Sequence, residues 1–273
     1  MKNSFTRTLI LAVLAISVFQ ACSKDDKKED STSNDKEVGL ANAKAVSDVY
    51  FDDVSQEVLQ VNTESGLTLR ETQTCATVTI TPQDATFPKT VTIDFGAGCT
   101  GVNGFVRKGK LIYTINKKFA FPGATATVTF DNYSVNDYKL EGTYTLANNG
   151  SLTGLSMTAT LVNGKITYPD GTWFTRSSVV NWVQVAGTDT PLDFTNDEFN
   201  ITGSGTVKSS AGNELTVSTE TPLLRKFICF NIVSGKLTLA FNNINGVLDY
   251  GTGACDKTAT LTIGNKDYAV SLP

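Results

Sequence analysis

Five cysteines and no histidine set the chemistry open to this chain of 273 residues. Without imidazole there is no Ser-His-Asp triad, no Cys-His nucleophile and little prospect of a zinc site. Cys22 stands apart near the N-terminus. Cys75, Cys99, Cys229 and Cys255 lie in two similar segments. One runs from Cys75 to Asp94-Phe95-Gly96-Ala97-Gly98-Cys99. The other runs from Cys229 to Asp249-Tyr250-Gly251-Thr252-Gly253-Ala254-Cys255. The paired cysteines are 24 and 26 positions apart. Four cysteines allow three pairings. The repeat argues for disulfides Cys75–Cys99 and Cys229–Cys255, while a crossed pairing between the units respects the repeat as well. The wide spacing and the lack of Cys-x-x-Cys argue against metal ligation, so no metal and no cofactor is expected.

Three other groups could carry chemistry. Asp94 and Asp249 open glycine-rich loops, but each loop offers one or two carboxylates where calcium needs several oxygens. The expected role is a turn in which the Asp accepts from local backbone N–H groups. Tyr168, Trp173 and Trp182 are candidate ligand-binding aromatics, suited to stacking on sugar. Trp173 and Trp182 have opposite parity in one strand, so they face opposite sides unless a bulge intervenes. Ser177-Ser178 is where such a bulge would lie. Asp189, Asp193, Asp197 and Glu198 crowd one loop region. Paired acids support glycoside hydrolysis only at a defined separation, and a solvated acidic loop is the expected reading. No catalytic residue is singled out, and the chain is not expected to be an enzyme.

The N-terminus carries an address. Lys2 and Arg7 precede an apolar run over residues 9–19. This is about half the ~20 residues that a membrane span requires, and it reads as a secretory signal over residues 1–21. Val18-Phe19-Gln20-Ala21-Cys22 resembles a bacterial lipobox, with Phe19 where the pattern prefers Leu. That resemblance implies cleavage before Cys22 and acylation of the cysteine, palmitate included. Residues 22–37 are dense in both charges and lack apolar groups, as a disordered tether would. Its start, Cys22-Ser23-Lys24-Asp25-Asp26, is similar to the export tag of Bacteroidota surface lipoproteins. This implies an outer-membrane lipoprotein at the cell surface, with the periplasmic face as the alternative. Lys plus Arg is 23 against 27 Asp plus Glu, a balance that argues against a nucleic-acid partner. The expected partners are the membrane, through the lipid, and a glycan or protein ligand.

The elements behind these residues form one domain over residues 38–273. Residues 37–62 read as a helix, with Val46, Tyr50, Val54 and Val58 every four positions and Asp48, Asp52, Asp53, Gln56 and Glu57 on the other face. Asp35 and Ser47 are candidate caps. From residue 72 onward, Thr, Val, Ile, Tyr and Phe alternate with polar residues, punctuated by Gly, Asn and Asp. Strands are expected over 76–81, 90–94, 110–116, 124–131, 139–146, 154–162, 173–185, 199–208, 214–219, 236–241, 259–263 and 268–272. Hairpin turns are expected at Asn149-Gly150, Asn163-Gly164, Asp170-Gly171 and Asn245-Gly246. Asn136-Asp137 and Asn196-Asp197 begin a second, weaker pair of similar segments. The fold class is mainly β: a large antiparallel meander, as a curved sheet, sandwich or half-barrel, with one N-terminal amphipathic helix packed on it. The segments VTIDFGAGCTGVNGFVRKGKLI, FDNYSVNDYKLEGT, CFNIVSGKLTL and VLDYGTGACDKTATLTI resemble a group of uncharacterised Bacteroidota lipoproteins. The resemblance implies a compartment and an architecture, and transfers no active-site residue. The expected function is a lipid-anchored, non-catalytic binding or envelope component. A glycan-binding lipoprotein is the alternative, and a carboxylate-based hydrolase the third reading.

Overall fold

The computed structural model describes residues 35–60 and 75–272, apart from 102, 120, 152–153, 191–193, 230 and 243. Helix α1 (Asp35–Gln60) comes first. It is followed by β1 (Thr77–Thr81), β2 (Lys89–Asp94), β3 (Cys99–Thr100), β4 (Val106–Ile115), β5 (Thr125–Val135), β6 (Tyr138–Asn148) and β7 (Ser156–Thr167). The remaining strands are β8 (Trp173–Ala186), β9 (Glu198–Ser209), β10 (Glu214–Lys226), β11 (Ile232–Phe241), β12 (Ile244–Thr252), β13 (Thr258–Ile263) and β14 (Lys266–Ser271). Each strand pairs antiparallel with the next in a single open sheet, except that β3 is a short side branch on β4. This is the expected meander.

Period-two alternation builds the two faces. Leu111, Tyr113 and Ile115 of β4, and Leu237, Leu239 and Phe241 of β11, are buried. Thr77, Thr79 and Thr81 of β1, and Thr202, Ser204 and Thr206 of β9, are exposed. β-branched threonine suits an extended strand and leaves a hydroxyl for water. Bulges curve the sheet. Between β4 and β5 the register slips at Lys108/Lys110, where Gly109 holds φ 74° and Asn132 φ 49°. A Cβ on Gly109 would overlap the Asn132 carbonyl. A second slip sits at Glu141/Thr143 between β6 and β7, around Gly142.

Two expected turns are corrected. Asn163-Gly164 lies inside β7, where the register against β8 slips between Leu161 and Gly164. Asn163 has φ 52°, a left-handed conformation that some bulges share with tight hairpin turns. Asn245-Gly246 lies inside β12, and Asn242 turns the chain instead. Asp170-Gly171 does form its turn, closed by Gly171 N–H donating to the Tyr168 carbonyl. The Asn-Asp pair similarity does not extend to geometry: Asn136 and Asp137 form a positive-φ hairpin between β5 and β6, whereas Asn196 ends a 3-10 turn before β9.

The helix starts at Asp35, so the last three residues of the expected tether are already helical. Asp35 and Glu37 in its first turn suit the positive end of the helix dipole. Gly39 and five valines lower its intrinsic propensity, so packing must stabilise it. Of the expected apolar face, Tyr50, Val54 and Val58 are buried and Val46 is partly buried, but Lys44, Ser47, Asp53, Ser55 and Glu57 on the polar side are buried too. The sheet therefore encloses the helix on more than its apolar stripe. Side chains from β4, β6, β8, β10 and β12 all reach it. At 1.5 Å per residue the helix is ~39 Å long, close to the ~40–46 Å of strands twelve to fourteen residues long.

Candidate functional site

The enclosed polar face of α1 is a charge network. Arg107 of β4 donates from Nε to Asp53 Oδ2 at 2.9 Å, pairs with Asp53 Oδ1 through Nη2, and reaches Glu57 at 3.2 Å. Arg225 of β10 reaches Asp52 Oδ2 from Nε at 2.7 Å and Nη2 at 2.6 Å. Arg176 of β8 pairs with Asp48 and donates to Ser47 Oγ at 2.7 Å. Lys44 pairs with Asp48 and donates to the Tyr250 hydroxyl of β12 at 3.0 Å. Four acids thus meet four bases. Ser47, a candidate cap in the sequence, sits mid-helix as the acceptor for Arg176.

The two central acids titrate in opposite directions. Burial pushes the Asp48 carboxyl up, but Arg176 and Lys44 pull harder and hold it below the ordinary value. Burial of Asp52 outweighs Arg225 and raises it. Asp52 Oδ2 takes Arg225 and Gln56, while Asp52 Oδ1 is buried with no hydrogen-bond partner.

Beside this network lies a cleft of about 100 Å³ between α1 and the inner side of β7 to β11. Its origin is local. Gly203 and Gly205 occupy the inward positions of β9 between Ile201 and Val207, so two side chains are absent. Opposite them, β10 loses register with β9 between Ser218 and Leu223. Thr219 Oγ1 bridges the gap, accepting from Gly203 N–H at 2.8 Å and donating to its carbonyl at 3.2 Å. Pro222, lacking an N–H, fits such a break. For this reason β10 continues to Lys226 where the sequence pattern stopped at 219. Val180, Trp182, Ile201 and Leu223 form apolar walls, and Asp48, Asp52, Arg176 and Arg225 line the helix side.

The three candidate aromatics divide across the sheet. The pairing of β8 with β9 is unbroken from Phe174 to Gln184, so no bulge forms at Ser177-Ser178 and the two tryptophans face opposite ways. Trp173 is 37% exposed on the outer face, with Lys165 Nζ 5.1 Å from its ring centre. Trp182 is half-buried, packs on Phe199 and lines the cleft. Nine residues of strand separate them by ~30 Å. Tyr168 lies between Tyr138 and Phe174, and burial pushes its hydroxyl up to about 12. The three therefore do not form one platform.

The cysteines pair as the repeat argued: Cys75–Cys99 and Cys229–Cys255, with Cα atoms 5.5 and 5.7 Å apart. In each repeat the Asp accepts from the second following N–H, Gly96 for Asp94 and Gly251 for Asp249. Each also pairs across the strands with a lysine, Lys110 or Lys236. No cluster of potential metal ligands occurs among the described residues. In the acidic loop region, buried Asp197 accepts from Gln184 Nε2 and Glu198 pairs with Lys226. Asp193 and Cys22 lie outside the described residues, as do residues 1–34. No described helix is long and apolar enough to cross a membrane.

Sequence reasoning missed Arg107, Arg176 and Arg225. A signal was present for each: Arg107 shares parity with Leu111, Tyr113 and Ile115. Arg176 shares parity with Phe174 and Trp182, and Arg225 with Leu223. An arginine at an inward position needs a buried acid, and the helix has a row of them. Against protein-family models, curated proteins and solved structures, the chain gives no match.

Proposed function

We propose that this chain is a lipid-anchored outer-membrane protein, exposed at the cell surface, with a non-catalytic binding role. The anchor rests on the signal-like N-terminus and Cys22. The binding reading rests on one observation: the buried acids and bases are engaged with one another across the helix–sheet interface, beside a cleft with mainly apolar walls. Such a surface is suited to holding a ligand by burial. The resemblance to Bacteroidota lipoproteins agrees with this compartment.

The test combines labelling and shaving. Cells expressing the chain should incorporate labelled palmitate into it, and Cys22→Ala should abolish the label. Protease added to intact cells should remove the body while a periplasmic control survives. Survival of the body until lysis would sink the surface placement, and unlabelled wild-type protein would sink the anchor.

Trp173 favours a second reading, glycan binding on the outer face, because it is a large aromatic exposed on a strand. Trp173→Ala should then abolish retention on a glycan array without lowering the melting temperature.

A further inference from the structure

The open meander has two edge strands of opposite character. β14 carries Lys266 and Asp267 and packs against α1; charge and cover both protect a sheet edge. At the other end, β1 pairs with β2 alone among the described residues. Its five residues, Thr77-Val78-Thr79-Ile80-Thr81, are all β-branched, and none is charged. Its register against β2 runs without a bulge. Such a strand offers a regular row of backbone N–H and C=O groups to a further strand. Both of its ends are held. The Cys75–Cys99 disulfide ties its entry to β3, and Lys89 Nζ donates to the Pro82 carbonyl at 2.8 Å at its exit. An edge that is already ordered loses little entropy on pairing.

The order of residues in β1 selects the partner. Thr77, Thr79 and Thr81 are exposed on the outer face, while Val78 and Ile80 are half-buried against the core on the inner face. Turned end for end about Thr79, the strand sets Thr77 opposite Thr81, Val78 opposite Ile80 and Thr79 opposite itself. Hydroxyl then meets hydroxyl on the outer face and branched apolar meets branched apolar on the inner one, both favourable cross-strand pairs. A slip of one position would set Val78 and Ile80 against threonines of the opposite face. A slip of two would leave Thr77 or Thr81 opposite a residue outside the strand.

We infer that β1 is a docking edge for a second copy of this chain, and that two copies pair antiparallel through it about a two-fold axis at Thr79. The contact is self-complementary and closes as a dimer, in which the two open sheets run on as one. Five paired residues span ~17 Å, a seam smaller than permanent dimers use, so the association is weak and depends on concentration. It does not require lipid anchoring, surface exposure or a ligand in the cleft.

The protein for the test is the full exported chain carrying Cys22→Ser, so that no acyl chain draws two copies together. Sedimentation velocity at millimolar protein should show a monomer–dimer equilibrium. Thr79→Lys and Thr79→Glu should each sediment as monomers, because like charges meet at the axis. An equimolar mixture of the two should dimerise again. Thr79→Cys should form a disulfide-linked dimer under mild oxidation at least tenfold faster than Thr206→Cys, which lies on the same outer face but on β9, away from the edge. Both threonines are exposed, so the circular dichroism of each variant should match wild type. A wild-type chain that stays monomeric at that concentration would overturn the inference. So would a dimer that Thr79→Lys leaves intact, a mixture no more associated than either charged variant alone, or Thr79→Cys linking no faster than Thr206→Cys. Failure of the shaving test would leave these outcomes unaffected.

Discussion

Asp53, Glu57 and Arg107 show how much one side chain controls when it is enclosed. Arg107 is 2% exposed and holds both carboxylates. Removing one member of a buried pair leaves the other's charge uncompensated, at a cost of about 3–5 kcal/mol. Arg107→Ala should therefore lower the unfolding free energy by about that amount in a urea titration. Arg225→Ala should act in the same direction. Lys108 and Asp137 form an exposed pair, and Lys108→Ala should change stability by under about 1 kcal/mol. Asp48 provides a pH test. Its folded pKa is depressed, so the unfolded state binds more protons between the folded value and the ordinary ~3.9. Its stabilisation is present above that window and lost as pH falls through the folded pKa. Asp48→Asn should flatten this acid limb of the stability profile. A limb as steep as in wild type would assign acid lability to other groups.

At the scale of elements, the strands were legible because alternation of Thr with Val, Ile and Tyr is a local pattern. Their ends were less legible. The expected strands over 124–131 and 139–146 lengthen to β5 and β6, which meet at the tight Asn136-Asp137 turn. Asn163-Gly164 was misread because positive φ serves turns and bulges alike. Bulges are a property of two strands in register, which no single segment reveals. Gly109 tests their contribution to curvature. Gly109→Val places a branched side chain at positive φ and against the Asn132 carbonyl. The variant should be strongly destabilised, whereas Gly212→Ala, in an open turn, should be affected mainly by its φ of 83°. Thermal melts compare the two. A Gly109→Val protein as stable as wild type would show that the bulge is not required.

At the scale of the whole molecule, the helix and the sheet stabilise each other. The inner face of the sheet is apolar over most of its strands, and α1 covers part of it while pairing with three of its arginines. Deleting residues 35–60 would expose that face and leave Arg107, Arg176 and Arg225 without acids. The expected result is loss of the cooperative unfolding transition in circular dichroism. Retention of that transition would show that the sheet folds without its helix. The two disulfides staple Cys units near opposite ends of the meander and close loops that contribute roughly 3 kcal/mol each in the chain-entropy account.

Local patterns along the chain sufficed for the mainly antiparallel β class, the N-terminal helix, the cysteine pairs suggested by the repeat, and the opposite facing of Trp173 and Trp182. All of these follow from periodicity within a segment or from similarity between segments. Tertiary folding was needed to show that the acidic side of α1 is enclosed rather than solvated. That depends on where a curved sheet brings Arg107, Arg176 and Arg225, residues 54 to 173 positions away from their helix partners. The cleft is of the same kind. Gly203, Gly205 and Pro222 are visible in the sequence, but the space they leave exists only where β9 parts from β10 beneath the helix.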